Sequence, residues 1–201
     1  STSTRSGHPG RALAALAAKL DAGLVVLGSR GYGPIARRVL GSTAADMVHL
    51  WDRPVVVVRG AVGPGPVLLG LGGTDTDGQA IDFAFEFAAR HGSPLQAVHG
   101  DHHVCTSEAL ERVLAPWRER YPAVPVHTEV VGDKPVRALL ARSVGARLLV
   151  VGSHHHSTAH RVLRGSISHG TLYHAECPVA VVPAGRALRQ SVRTAANSTS
   201  A

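Results

Sequence analysis

Cysteine, aromatic side chains and long apolar runs are all scarce in this chain of 201 residues, and each scarcity closes off a class of function. The two cysteines, Cys105 and Cys177, stand far apart with neither zinc-type spacing nor the density of a bridged scaffold, so they read as reduced, packed thiols without redox chemistry. Aromatics make up 4% of the residues, which leaves no evident base-stacking platform. The longest aliphatic runs, such as residues 24–27 and 55–58, are strand-sized and far short of the roughly 20 residues of a spanning helix, so no membrane partner is expected. The opening Ser1-Thr2-Ser3-Thr4-Arg5 shows neither an initiator Met nor the apolar segment of an export signal, which sets a cytoplasmic expectation.

What is present is material for a core: 44% of the side chains are apolar and 17% charged, the profile of a globular protein. A net charge of +7 would point to nucleic acid if it formed one patch. It is instead concentrated at the ends. Residues 1–60 carry eight Lys/Arg against three acids, residues 61–185 carry ten against eleven, and the remainder adds Arg186, Arg189 and Arg193 without acids. The long middle segment is near neutral, which argues against nucleic acid as the partner. Residues 186–201, rich in Ser, Thr, Asn and Arg without helical or strand period, read as a disordered tail.

The sequence repeats itself at one offset. Gly28-Ser29 corresponds to Gly152-Ser153, Gly41-Ser42 to Gly165-Ser166, and Pro54 with its valine run to Pro178 with its own, each 124 positions apart. Upstream, Arg11-Ala12-Leu13 resembles Arg137-Ala138-Leu139 at 126, a two-residue difference of the kind loops absorb. Only the second copy has room for further elements. Its pattern predicts strands at 67–71, 95–99, 124–131, 148–151 and 179–182, alternating with helices at 79–91, 107–121 with Ser107 as N-cap, from Asp133-Pro135 onward, and 166–175. Leu110, Val113, Leu114 and Trp117 form the apolar stripe of the second helix, and Pro116 suggests a kink or an early end there. Continuous aliphatic strands of this kind belong to a parallel sheet buried on both faces. The first copy keeps only a helix at 9–20, a strand at 24–27, a helix from 42 and a strand at 55–58. That is too little to bury a sheet alone, so it should dock edge to edge on the complete copy and leave strand 24–27 with an apolar edge exposed.

The chemistry lies in the glycines. Gly28-Ser29-Arg30-Gly31, nine residues, then Gly41-Ser42 gives G-x2-G-x9-G-S beside a strand end and a helix start. Glycines there let a backbone approach a phosphate, and the helix start offers free amides and the positive end of a dipole. With that spacing the chain resembles the universal stress protein family, over nearly everything except the tail and including the ending His174-Ala175-Glu176-Cys177-Pro178-Val179. The resemblance implies an α/β fold, a doubly wound five-stranded parallel sheet of the adenine-nucleotide alpha hydrolase-like kind, plus a partial second copy. On that map residues 1–60 are the C-terminal half of a first domain, residues 61–185 a complete one, and 186–201 the tail.

The same resemblance implies a stress-response module that is regulatory rather than catalytic, with ATP as cofactor and no metal. It also implies pairing with itself or another such domain through the last strands, 55–58 and 179–182. The nucleotide would be held by Gly72, Val151, Gly152, His154, His155, Gly165, Ser166 and Ile167, with Gly28, Gly31, Gly41 and Ser42 as the corresponding set in the first copy.

Two departures favour the alternative of an interaction or dimerisation module with a degenerate pocket. His155 replaces the second glycine of the signature, and Gly72 stands where ATP-binding members usually have an Asp for the nucleoside. His99, His102, His103 and His154 to His156 gather near strand ends on one rim, but without a carboxylate or thiol spacing they read as loop histidines rather than a metal set. Gly70-Leu71-Gly72-Gly73-Thr74-Asp75 fails the dinucleotide fingerprint at its third glycine, and no catalytic elbow or phosphate-binding lysine loop is present.

Overall fold

A computed structural model describes residues 7–29, 40–72, 78–100, 106–132, 135–153 and 167–184. Its elements are α1 (Pro9–Lys19), β1 (Val25–Gly28), α2 (Ser42–Leu50), β2 (Val55–Val58), β3 (Val67–Leu71), α3 (Gly78–His91) and β4 (Leu95–Gly100), followed by α4 (Ser107–Arg120), β5 (Val126–Val131), α5 (Pro135–Ser143), β6 (Leu148–Ser153), α6 (Ile167–His174) and β7 (Val179–Pro183). The sequence predicts each of these to within two or three residues.

Local chemistry explains the boundaries. Pro9 opens α1, where a missing amide proton costs nothing. Thr106, not Ser107, caps α4: its Oγ1 accepts from the Ala109 amide at 3.2 Å, so the hydroxyl lies one residue earlier than expected. α4 also runs past Pro116 to Arg120 rather than ending early. Its last turn is held by packing, with the Tyr121 ring stacked on Phe85 at 5.8 Å and the Tyr121 amide bonded to the Trp117 carbonyl. Val113 is exposed, a correction to the expected stripe, because Leu110 and Leu114 already fill the side facing the sheet.

The strands form one sheet in the order β1-β2-β7-β6-β3-β4-β5. Five of them, β7-β6-β3-β4-β5, are parallel throughout, as the aliphatic runs predict. β1 lies parallel to β2, and β2 lies antiparallel to β7 with Val55 opposite Val181 and Val57 opposite Val179. The last strands of the two copies therefore meet inside one chain and carry the sheet to seven strands. One core layer joins α1, α2, α5 and α6 residues to one face, including Val25, Val55, Val151 and Val181. The other joins α3 and α4 to the opposite face, including Leu69, Leu148, Val150 and Val182.

The connection after β2 is fixed to the complete copy. Gly60 has φ +59° and lies so close to Glu176 that any Cβ would overlap that residue's carbonyl. Beyond it, Gly63 and Gly65 donate to the carbonyls of Ala146 and Gly145, both at 3.1 Å. As expected, β1 is left exposed: Leu24, Val26 and Val58 are 41%, 57% and 42% accessible, whereas their counterparts Leu148, Val150 and Val182 are at 2%, 0% and 1%.

Candidate functional site

In a doubly wound sheet the natural cleft lies outside the carboxyl ends of the strands where chain order reverses. That point falls between β3 and β6, because β4 and β5 continue on one side of β3 and β6 and β7 lie on the other. Gly70 and Val151 are paired in register there. A Cβ on Gly70 would come within 2.7 Å of Leu139 Cδ1 and 3.1 Å of Val151 Cγ1, with Ile167 Cγ2 at 3.6 Å, so the start of α6 rests directly on the strand ends. Above this floor stand Gly72, exposed, and Gly152, half-buried. Ser153 follows. Its side chain is buried and its Oγ finds no hydrogen-bond partner among the described residues, while its carbonyl accepts from Ala184 at 3.1 Å. His99 is buried at the end of β4, in register with Leu71.

The structure thus brings together Gly72, Val151, Gly152 and Ile167. His154, His155, Gly165 and Ser166 lie outside the described residues, as do Gly31, His102, His103, His156 and Cys105. The first copy's Gly28, Gly41 and Ser42 are elsewhere, because the antiparallel seam between β2 and β7 puts the carboxyl end of β1 at the opposite end of the sheet. There the Gly41 amide donates to the Ser29 carbonyl at 2.8 Å. This joins Ser29 and Gly41, which flank residues 30–40. It also corrects the expectation that the Gly41 amide is free, since the Ser29 carbonyl takes it.

At the junction of the two copies Arg59 is buried, one guanidinium nitrogen donating to the Leu172 carbonyl near the end of α6 and Nε without a partner among the described residues. Desolvation lowers the Arg59 pKa below its usual range, and the same burial pushes the neighbouring Cys177 thiol up to about 11, outweighing the opposing pull of its backbone hydrogen bond and of Arg59. Cys177 is a packed, protonated thiol, as its sequence context suggests. Among the described residues no group of His, Cys, Asp and Glu converges as a metal would require, and no helix is long and apolar enough to cross a membrane.

Sequence reasoning assigned no role to Ser153 or Arg59. Ser153 had a signal, since Ser29 occupies the corresponding place in the first copy and is also buried. Arg59 had none, because its partners lie more than a hundred residues away in the chain.

The model of the universal stress protein family matches residues 1–59 and 100–183. A universal stress protein of Mycobacterium tuberculosis is 40% identical over 182 residues, covering 80% of this chain and 62% of the relative. One of Mycolicibacterium smegmatis is 39% identical over 186 residues, with 82% and 63% covered. The chain therefore spans about three fifths of the length of these relatives. Among solved structures, a universal stress protein of Archaeoglobus fulgidus superposes with a TM-score of 0.72 at 19% identity, covering 92% of this chain and 69% of that one. A universal stress protein in complex with cAMP superposes with a TM-score of 0.50 at 25% identity, covering 60% and 99%.

Proposed function

This chain belongs to the universal stress protein family, and on that premise we propose that it is a cytoplasmic, regulatory and non-catalytic module that binds an adenine nucleotide at the carboxyl ends of β3 and β6. In this reading residues 61–185 form the binding domain and residues 1–60 half of a second. The observation that carries the proposal is the buried Ser153 Oγ beside Gly152, without a partner among the described residues, at the point where the sheet reverses its order. A hydroxyl left orphaned in a buried place costs stability unless a ligand completes it.

The residues present fit a nucleotide. Val151 and Ile167 supply an apolar floor, Gly152 permits close backbone approach, and Ser153 offers a hydrogen bond to a phosphate or ribose oxygen. Gly165, Ser166 and His154 would complete the phosphate side, with His155 beside them. Gly72 offers no carboxylate to a ribose hydroxyl, so ATP is expected to bind weakly, and the cAMP complex of the structural relative supports the nucleotide class.

Titrating the full chain with ATP and with cAMP by calorimetry tests the reading. Saturable heat is expected, weakened about three- to tenfold by Ser153→Ala, a substitution that leaves the melting temperature unchanged or higher. No heat at millimolar nucleotide would reject the site. The pairing expected between the last strands of two such domains is made here within one chain, by β2 and β7.

A further inference from the structure

We propose that Arg59, contributed by the first copy, is a positioning residue for the nucleotide site of the second: by capping the far end of α6 it fixes the helix whose opening residue borders that site. The inference rests on the nucleotide reading given above and adds to it a residue from outside the cleft. α6 is the link. Its first residue, Ile167, rests on Gly70 at the strand ends, and the helix finishes eight residues later, about 12 Å along its axis. A helix this short is marginal in water on its own, so its order depends on packing and on how its ends are satisfied.

At the far end the ordinary partner is missing. The Leu172 carbonyl would take the Glu176 amide if the helix continued, but that amide donates to Ser143 Oγ on α5 at 3.0 Å. A guanidinium nitrogen of Arg59 bonds the Leu172 carbonyl instead, which sets a cation at the negative end of the helix dipole. Gly60, the next residue, lies against the Glu176 carbonyl, so the backbone that carries Arg59 is seated on the same corner.

Stability of the seam does not account for this arginine. Arg59 is 5% exposed and its Nε has no partner among the described residues, and a buried charge with incomplete hydrogen bonding returns little net stability. The β2–β7 register is two-fold in form, because Val55 pairs with Val181 and Val57 with Val179, which are the corresponding positions exchanged. Under that symmetry Pro183 is the counterpart of Arg59 and Val48 the counterpart of Leu172. Proline has no side-chain donor to give. The contact therefore runs one way, from the first copy onto the helix of the second. Binding is then linked to docking: whatever Arg59 adds to nucleotide affinity, bound nucleotide adds to the seating of the first copy.

The test is calorimetric titration of the full chain with ATP, wild type against Arg59→Met and Arg59→Lys, with hydrogen exchange measured at zero and saturating ATP. Arg59→Met is expected to weaken ATP about five- to twentyfold, and Arg59→Lys, which keeps a cation and a donor, to recover most of that. In the wild type ATP slows exchange in β2 and α2, and the Met variant at its own saturating ATP loses that slowing. Wild-type heat that neither substitution changes overturns the role of Arg59 and leaves the site standing. Equal weakening by Met and Lys, with ATP still slowing β2 in both, marks a packing role and also overturns it. No heat from the wild type at millimolar ATP overturns site and positioning together. Should Arg59→Met fail to fold, wild-type exchange decides: β2 and α2 amides indifferent to saturating ATP overturn the link.

Discussion

The unit built of α1, β1, α2 and β2 and the unit built of α5, β6, α6 and β7 follow the same path and fill it differently. Ala44, Met47 and Trp51 of the first correspond to Ser168, Thr171 and Ala175 of the second, and all six are buried. Among the described residues the first unit has helices on one face of its strands, and Met47 and Trp51 supply the apolar area buried there. The second is covered on both faces by α3, α5 and α6 and holds its place with smaller side chains. It even carries a hydroxyl, that of Thr171, satisfied by the Ile167 carbonyl at 2.7 Å. The two units differ in their core side chains where helix cover differs, while the strands themselves stay alike.

Making the first unit resemble the second should break it. Trp51→Ala is expected to cost about 3–5 kcal/mol by urea denaturation, with hydrogen exchange rising first in α1, β1, α2 and β2. Uniform acceleration through β3 to β5 would contradict the asymmetry.

The seam between the units is sharpened by two glycines with the same φ of +59°. Gly92→Ala meets nothing within 4 Å and should cost only the left-handed strain of about 1–2 kcal/mol. Gly60→Ala adds the collision with Glu176 and should cost about 1–3 kcal/mol more. Equal melting temperatures for the two variants would mean that the connection is not seated on the second copy.

The smallest effect concerns Cys177, whose place in the first copy is taken by the half-exposed Arg53, bonded to Asp21 at 2.6 Å. The folded thiol titrates near 11 against an ordinary 9.0, so the native state favours its neutral form. The stability this contributes is complete below about pH 9 and is lost as pH climbs toward 11. The urea midpoint of the wild type should therefore fall more steeply over that interval than that of Cys177→Ala. Parallel profiles would show that burial does not hold the proton.

Much of this was legible in the sequence because parallel strands buried on both faces advertise themselves as aliphatic runs, and corresponding segments recur at a constant offset. Val25–Gly28 and Leu148–Ser153 could be aligned by eye. The polarity of the seam was not legible: β2 and β7 carry nearly the same valine run, and such a run pairs as readily parallel as antiparallel. The antiparallel seam separates Gly28 and Gly41 from Gly72 and Gly152 by putting them at opposite ends of the sheet. Thr106 and Ser107 illustrate a finer limit. Both are good caps, and only the backbone decides which hydroxyl sees the Ala109 amide. The orphan state of Ser153 Oγ belongs to packing in three dimensions and has no spelling in the chain.

The reversal at the seam has a mechanical consequence. The carboxyl ends of β1 and β6, where the two glycine sets lie, face away from each other, separated by the length of a strand, about 20 Å for the six residues of β6. Two molecules held there could never touch or share a contact. Any message from one pole to the other would pass through the β2–β7 pair, joined across three residue pairings, and through the Arg59–Leu172 bond and the residue 60–65 connection beside it.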